Sequence, residues 1–307
     1  RYPMRKKGRG LIASPGWDGD YDWIGFLNQK DFPSSVNPSE GFLATANNKT
    51  VATDFPHILS SSWYWPDRVE RIREMISSRS DHTYRTSMDM HLDTKSMSAA
   101  AIRDLYLKGK LADAIAMEIN IWPDMAMQKK AREALDMLKG FDATMTADSK
   151  GALVIGALMD TLTRDIFLDE LGPEGLPAWK GLLASGYLSY SALTDHILVR
   201  GDESPFWDDV NTPTKETKAV IMARALAHAD MLMETRLGAD REKWAWGKLH
   251  TTSFITESSK MAKHFSFVQR TGMKLLGSFF NRGPYLASGD HTTPNVSAYI
   301  PGETFDT

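Results

Sequence analysis

The chain has 307 residues, 42% of them apolar, and a formal net charge of -3, enough for one large or two modest domains. The mild negative charge gives no electrostatic reason to bind nucleic acid, and no apolar run approaches the roughly 20 residues of a membrane span. With no cysteine, disulfides, thiolate metal sites and a cysteine nucleophile are excluded within this chain.

Residues 1–65 are rich in Gly, Pro, Asn and aromatics, as in "SPGWDGDYDWIGFLNQKDFPSSVNPSEGF", the chemistry of turns and short strands. The opening "RYPMRKKGRG" is neither a signal peptide nor a helix start, and we read the chain as a piece of something longer. Within this segment "EGFLATANN" has strand character, with Phe42, Ala44 and Ala46 on one face and Leu43, Thr45 and Asn47 on the other. Both faces are mostly apolar, so the strand is expected to be covered on both sides, with Asn47 mostly buried at its end.

From Pro66 to about Leu237 the period turns helical. "PDRVERIREMISS" places Val69, Ile72, Met75 and Ile76 on one arc of a helix over 66–78. Further helices are expected at about 97–107, 111–120, 126–139, 148–171, 176–185, 189–199 and 214–237. After Trp244 strand-like sequence returns in "WGKLHTTSFI" and "NRGPYLASGDHTTPNVSAYI". A mainly helical region, 66–240, thus lies between sheet-and-loop segments 1–65 and 241–307. This order predicts an α+β protein whose sheet is completed by segments distant in sequence.

Two side chains stand out. Asparagine is a poor strand former, so Asn47-Asn48 either opens a turn or aims a side-chain amide, whose N–H2 could stabilise an oxyanion by a few kcal/mol. On a wheel of ~100° per residue, Arg68 falls in the arc spanned by Met75 and Ile72, with Arg71 and Arg73 flanking it and Glu74 facing away. A guanidinium there either snorkels past Ile72 to solvent or is paired and hydrogen-bonded, because an unpaired buried charge is costly.

Other residues carry weaker signals. Ser60, Ser61 and Ser62 lie beside His57 but lack the G-x-S-x-G setting of a nucleophile. His82 and His91, with Asp81, Asp89 and Asp93, match no standard metal spacing, and Asp93 reads as a polar residue leading into a helix. His228 and Asp230 read as a face of a long amphipathic helix. Met222, Met231 and Met233 read as core.

The motifs "SPGWDGDYDWIGF", "VNPSEGFLATANNK", "DFPHILSSSWYWPDRVERI", "MHLDTKSMSA" and "WGKLHTTSF" occur in the order found in the penicillin acylase family of N-terminal-nucleophile amidases. The likeness continues through "NRGPYLASGDHTTPNVSAYI", essentially the whole chain, which resembles the middle of that family's β chain. The resemblance implies part of a four-layer αββα sandwich with a large helical excursion. It implies a precursor that cuts itself into α and β chains, with a serine at the start of the β chain, outside this chain, as both nucleophile and base. The expected partners are that α chain, the remainder of the β chain and a small N-acylated substrate; no cofactor is expected for catalysis. A periplasmic or secreted location is implied by the family alone.

Carried over by motif, Asn47 falls on the family's oxyanion-hole asparagine and Arg68 on the arginine that supports it. Pro3 falls near a residue whose backbone carbonyl binds a structural calcium. Leu59 stands where some members have a calcium-ligating aspartate, a departure from the usual ligand set, although Asp54 is nearby. Phe141-Asp142 replaces the common Trp-Asp, and His250 is expected to be structural, near the site. The expected activity is hydrolysis of a linear amide through an acyl-enzyme. The rivals are the same chemistry on N-acyl homoserine lactones, or a non-catalytic relic or binding domain.

Overall fold

The computed structural model describes residues 2–10, 12–60, 62–172, 175–184, 187–256, 271–272, 277, 279–297 and 305–306. The helical region is close to its expected outline. It comprises α1 (Asp67–Ser77), α2 (Tyr84–His91), α3 (Met97–Leu107), α4 (Gly109–Ile121), α5 (Met125–Lys139), α6 (Lys150–Leu171), α7 (Pro177–Ala184), α8 (Tyr187–Val199), α9 (Lys218–Leu237) and the short α10 (Trp246–Leu249). Of these α2 and α10 were not expected; α10 takes Trp246–Leu249 out of the strand-like run, which begins as strand only at Thr251. Of the two, α2 has the clearer cause. Its apolar spacing is poor, and it is set instead by a capping box in which Thr83 and Thr86 satisfy each other's backbone N–H groups.

The core is built on α6 and α9, which pack against each other, with α4 and α5 laid against α9. Residues Gly151–Leu162 of α6 are buried on every side, which explains why the stretch is apolar all round as far as Met159 and not amphipathic. A Cβ at Gly156 would stand 2.2 Å from the Trp246 ring, and one at Gly151 2.4 Å from Phe141. Only glycine allows these two aromatics to lie directly on the helix. Phe141 therefore fills its place by packing, as the change from tryptophan implied.

The sheet-like flanks contain little regular strand. β1 (Pro3–Arg5) and β2 (Trp23–Phe26) pair antiparallel. β3 (Thr251–Phe254) lies between β4 (Arg282–Leu286), antiparallel to it, and the two-residue β5 (Phe305–Asp306), parallel to it. The protein is thus mixed helix and sheet. Residues 42–46 are extended without ladder partners, and only Asn48 forms a bridge, parallel, with Tyr64. The alternation is retained, with 42, 44 and 46 half-buried and 43, 45 and 47 exposed. Cover on both faces is not found: Leu43 is 69% exposed, because among the described residues nothing packs on its side.

Candidate active site

Asn47 sits at the end of this extended run with φ +65°, the left-handed region that asparagine tolerates better than most residues. The turn and the aimed amide both occur, divided between the two asparagines. Asn48 makes the turn: its Oδ1 accepts from Ala46 N at 3.0 Å and its amide donates to the Lys49 carbonyl at 3.0 Å. Asn47 carries the aimed amide. Its backbone carbonyl accepts from Tyr64 N at 3.0 Å, which pins the turn to the segment leading into α1.

Arg68 reaches back from the first turn of α1. Its Nη2 donates to Asn47 Oδ1 at 2.8 Å and to the Ala46 carbonyl at 2.9 Å, with the guanidinium 5.8 Å from the centre of the Tyr64 ring. This is the paired arrangement and not snorkelling. A guanidinium accepts nothing, so the atom facing it must be the amide oxygen. The amide N–H2 is thereby turned the other way, toward solvent. Asn47 is exposed, contrary to expectation, because its face of the extended run is the uncovered one.

The helix carrying Arg68 is fixed along its length. Arg71 makes a two-pronged ion pair with Asp93 at 2.9 and 2.6 Å, Arg73 pairs with Glu40 at 2.6 Å, and Val69 is buried. Asp93 therefore ties α1 to the segment before α3, whose cap is Ser96. Behind Arg68 lies a buried polar floor that sequence reasoning missed. The Thr292 hydroxyl donates to Asp290 Oδ1 at 2.6 Å, so the Ser96 hydroxyl, which accepts from Ala99 N, donates to Thr292 Oγ1 at 2.6 Å. Asp67, the first residue of α1, is 4% exposed. His291 lies tilted against Tyr190, with ring centres 3.8 Å apart and planes at 45°, and burial pushes its imidazole down to about 4. An acidic residue in the first turn of a helix is ordinarily read as complementing the dipole, so nothing local in the sequence signalled this burial.

His250 is buried in the fold. Its ring stacks on Trp246 with centres 4.6 Å apart, and its nitrogens face the Ala287 carbonyl at 3.2 Å and Ser297 Oγ at 3.3 Å. Trp246 Nε1 donates to the Gly289 carbonyl at 2.9 Å. The helical core thus reaches the Asp290 loop through one indole.

Two hollows meet at the wall formed by Asn48 and Lys49. One, of about 620 Å³, is bounded by Trp63, Tyr64, Trp65 and Ser191. The other, of about 700 Å³, is bounded by Phe42, Leu43, Thr45 and Arg73. Trp65 N donates to Ser191 Oγ at 2.9 Å and so fixes α8 against the first hollow.

The other candidates do not assemble. Ser60 Oγ and Ser62 bond each other in a local turn, His57 faces the Phe55 ring, and Ser61 lies outside the described residues. Asp81 pairs with Arg79, and His82 faces the Ile76 carbonyl. His228 pairs with Asp165 at 2.9 Å. Asp230 is not on a solvated face but fully buried, bound by Arg241 at 2.5 and 2.9 Å. Met222 and Met233 are core, whereas Met231 is 43% exposed.

Pro3 pairs with Phe26 in β1–β2, and the hollow beside it is bounded by Tyr2, Arg5, Arg9, His57 and Ile58. That lining has two guanidinium groups and no carboxylate, and Asp54 is exposed. These residues do not fit calcium, which takes six to eight oxygen ligands. Among the described residues no three His, Asp or Glu side chains gather as metal ligands.

The chain matches the family model described as Penicillin amidase over residues 1–306. It is 46% identical over 307 residues to Acyl-homoserine lactone acylase QuiP of Pseudomonas aeruginosa, across 100% of this chain and 36% of that protein. It is 40% identical over 306 residues to the protein of the same name from Pseudomonas syringae pv. syringae, across 100% of this chain and 35% of that one. It is 28% identical over 164 residues to Penicillin acylase 2 proenzyme of Pseudomonas sp. (strain SE83), across 53% of this chain and 19% of that protein. The chain spans about a third of the length of the QuiP relatives it matches.

Proposed function

The chain belongs to the penicillin amidase family, and from that footing we propose that it forms part of an amide hydrolase that removes the acyl group from an N-acyl homoserine lactone. The observation that carries this reading is the Arg68–Asn47 pair. Arg68 occupies the amide oxygen, so the N–H2 of Asn47 is held outward before any substrate arrives. A donor fixed in advance stabilises a developing oxyanion without reorganisation at the moment of reaction. Attack on the amide carbonyl places negative charge on its oxygen, and Asn47 donates to that oxygen. Collapse of the intermediate releases the amine, and water then releases the acid from the acyl-enzyme.

The nucleophile we assign, by family, is an N-terminal serine outside this chain, whose α-amino group titrates near neutrality and serves as base. The remainder of the precursor would complete an αββα sandwich and cover surfaces such as Trp17 at 86% exposure and Leu43 at 69%. An exported location follows from the family reading. The lactone class is favoured over β-lactams because relatives carrying that name match along the whole chain, whereas the penicillin acylase matches along 53% of it.

The test is Asn47→Ala in the full-length, processed enzyme. Turnover should fall by about a hundredfold or more, as for loss of one oxyanion donor, with KM little changed. Near-normal turnover would remove Asn47 from the mechanism.

A further inference from the structure

Asp67 is adjacent in sequence to the arginine that holds Asn47, yet its side chain points the opposite way, into the protein. Its carboxyl lies beside Ser98 at the N-terminus of the eleven-residue helix α3, where the Ser98 hydroxyl and backbone N–H favour the carboxylate form. Its Oδ1 has no hydrogen-bond partner, and the residue is 4% exposed. Ser98 on α3, Asp290 in the loop after β4 and Glu70 on its own helix are the polar and charged groups that face it. Asp290 is 6% exposed and already takes two bonds from Thr292, from N at 2.7 Å and from Oγ1 at 2.6 Å. Two carboxyl groups sharing a dry site disfavour double ionisation.

We propose that Asp67 is a positioning residue, whose buried carboxyl seats the first turn of α1 on α3 and so keeps Arg68 against Asn47. The inference rests on the acylase reading for its catalytic consequence and on geometry for its structural one. Burial is the main cause that drives the carboxyl up to about 8; Ser98 works against the rise, and Asp290 and Glu70 add to it. Above that pH the site must hold a charge that the two Ser98 donors cannot balance. The α1 turn then shifts, and the guanidinium leaves the Asn47 amide.

The experiment uses the full-length enzyme with an N-acyl p-nitroanilide, because a lactone ring opens unaided in alkali. Wild-type kcat/KM should hold to about pH 8 and then fall about tenfold per pH unit. Asp67→Asn, which cannot ionise, should stay within about twofold of its neutral-pH value at pH 9. Ser98→Ala removes a donor that favours the carboxylate, so its alkaline limb should move to higher pH, a change that general damage would not produce. Limbs that coincide in all three proteins overturn the proposal.

Thermal melting gives a readout independent of turnover. The folded state keeps a proton that the unfolded chain loses at its ordinary value of 3.8. Wild type should therefore lose stability relative to Asp67→Asn as pH rises between about 4 and 8, and no further above that. Parallel melting curves also overturn the proposal. If wild type cleaves no acyl substrate, the function proposed above fails, and the melting series still decides Asp67.

Discussion

Arg68→Ala tests whether the arginine works through the asparagine. The substitution deletes the bonds of 2.8 Å to Asn47 Oδ1 and 2.9 Å to the Ala46 carbonyl. Bonds from a charged donor are worth about 1.5–3 kcal/mol each, and a half-exposed guanidinium belongs at the lower end. If that restraint serves only to orient the amide, its loss cannot exceed the loss of the amide itself, about 10²–10³ in turnover. We expect kcat/KM to fall by about 10- to 100-fold, 1.4 to 2.7 kcal/mol of barrier. The decisive measurement is the double variant Asn47→Ala/Arg68→Ala, assayed by initial rates and corrected for the processed fraction by intact mass. It should be no slower than Asn47→Ala alone, because with no amide to hold the arginine has nothing to act through. Additive losses would refute the reasoning and place Arg68 on the substrate itself.

Two further outcomes follow from the packing. Gly156→Ala drives a methyl group to 2.2 Å from the Trp246 ring, which its bond to the Gly289 carbonyl holds in place. Denaturant unfolding should register a loss at the upper end of overpacking, about 3 kcal/mol, and Gly156→Ser should be no better. His196 is 7% exposed among Phe167, Phe206 and Trp207, and burial holds its imidazole down to about 4. The folded protein then binds fewer protons than the unfolded chain between about 6.5 and 4, so stability is lost as pH falls through that window, by up to ~3 kcal/mol. His196→Phe should flatten that part of the pH–melting curve, and an unchanged acid slope would exclude His196 as its source.

Helices with a clear apolar period were legible from residues alone, α3 to the residue, because Ser96 caps it and Leu107 precedes a break at Gly109. The sheet flanks were legible only as a class. Extended runs such as 42–46 become strands when partners supply the ladder, and the described partners supply one bridge. Asn47 and Arg68 were both singled out, but sequence left the choice between turn and amide undecided, since neither φ nor the direction of an amide is written in a dipeptide. The polar floor was invisible for a different reason. Asp67, Ser96 and Asp290 come from three segments more than twenty residues apart in pairwise order, and each has an ordinary surface explanation where it stands. Asp230 was hidden for a related reason, since its partner Arg241 lies in the turn after α9 and its burial depends on α5 and α9 together.

The way the site is held separates two tasks that a single loop could not perform. A left-handed asparagine at the end of an extended run is free to move unless something stiff restrains it, and the first turn of α1 provides that restraint. That helix is itself tied to the segment before α3 by the Arg71–Asp93 ion pair and to α3 by Asp67, and through the Asp290 loop to Trp246 and α6. Direction is thus set by the helical body. Strength is another matter, because a hydrogen bond to an oxyanion gains most where water is excluded, and Asn47 faces solvent here. The helical region can aim the amide, but the dry environment that would make it effective has to come from whatever covers the face of Leu43, Thr45 and Asn47. On our reading that cover is the remainder of the precursor, so that the donor is oriented by one part of the protein and desolvated by another.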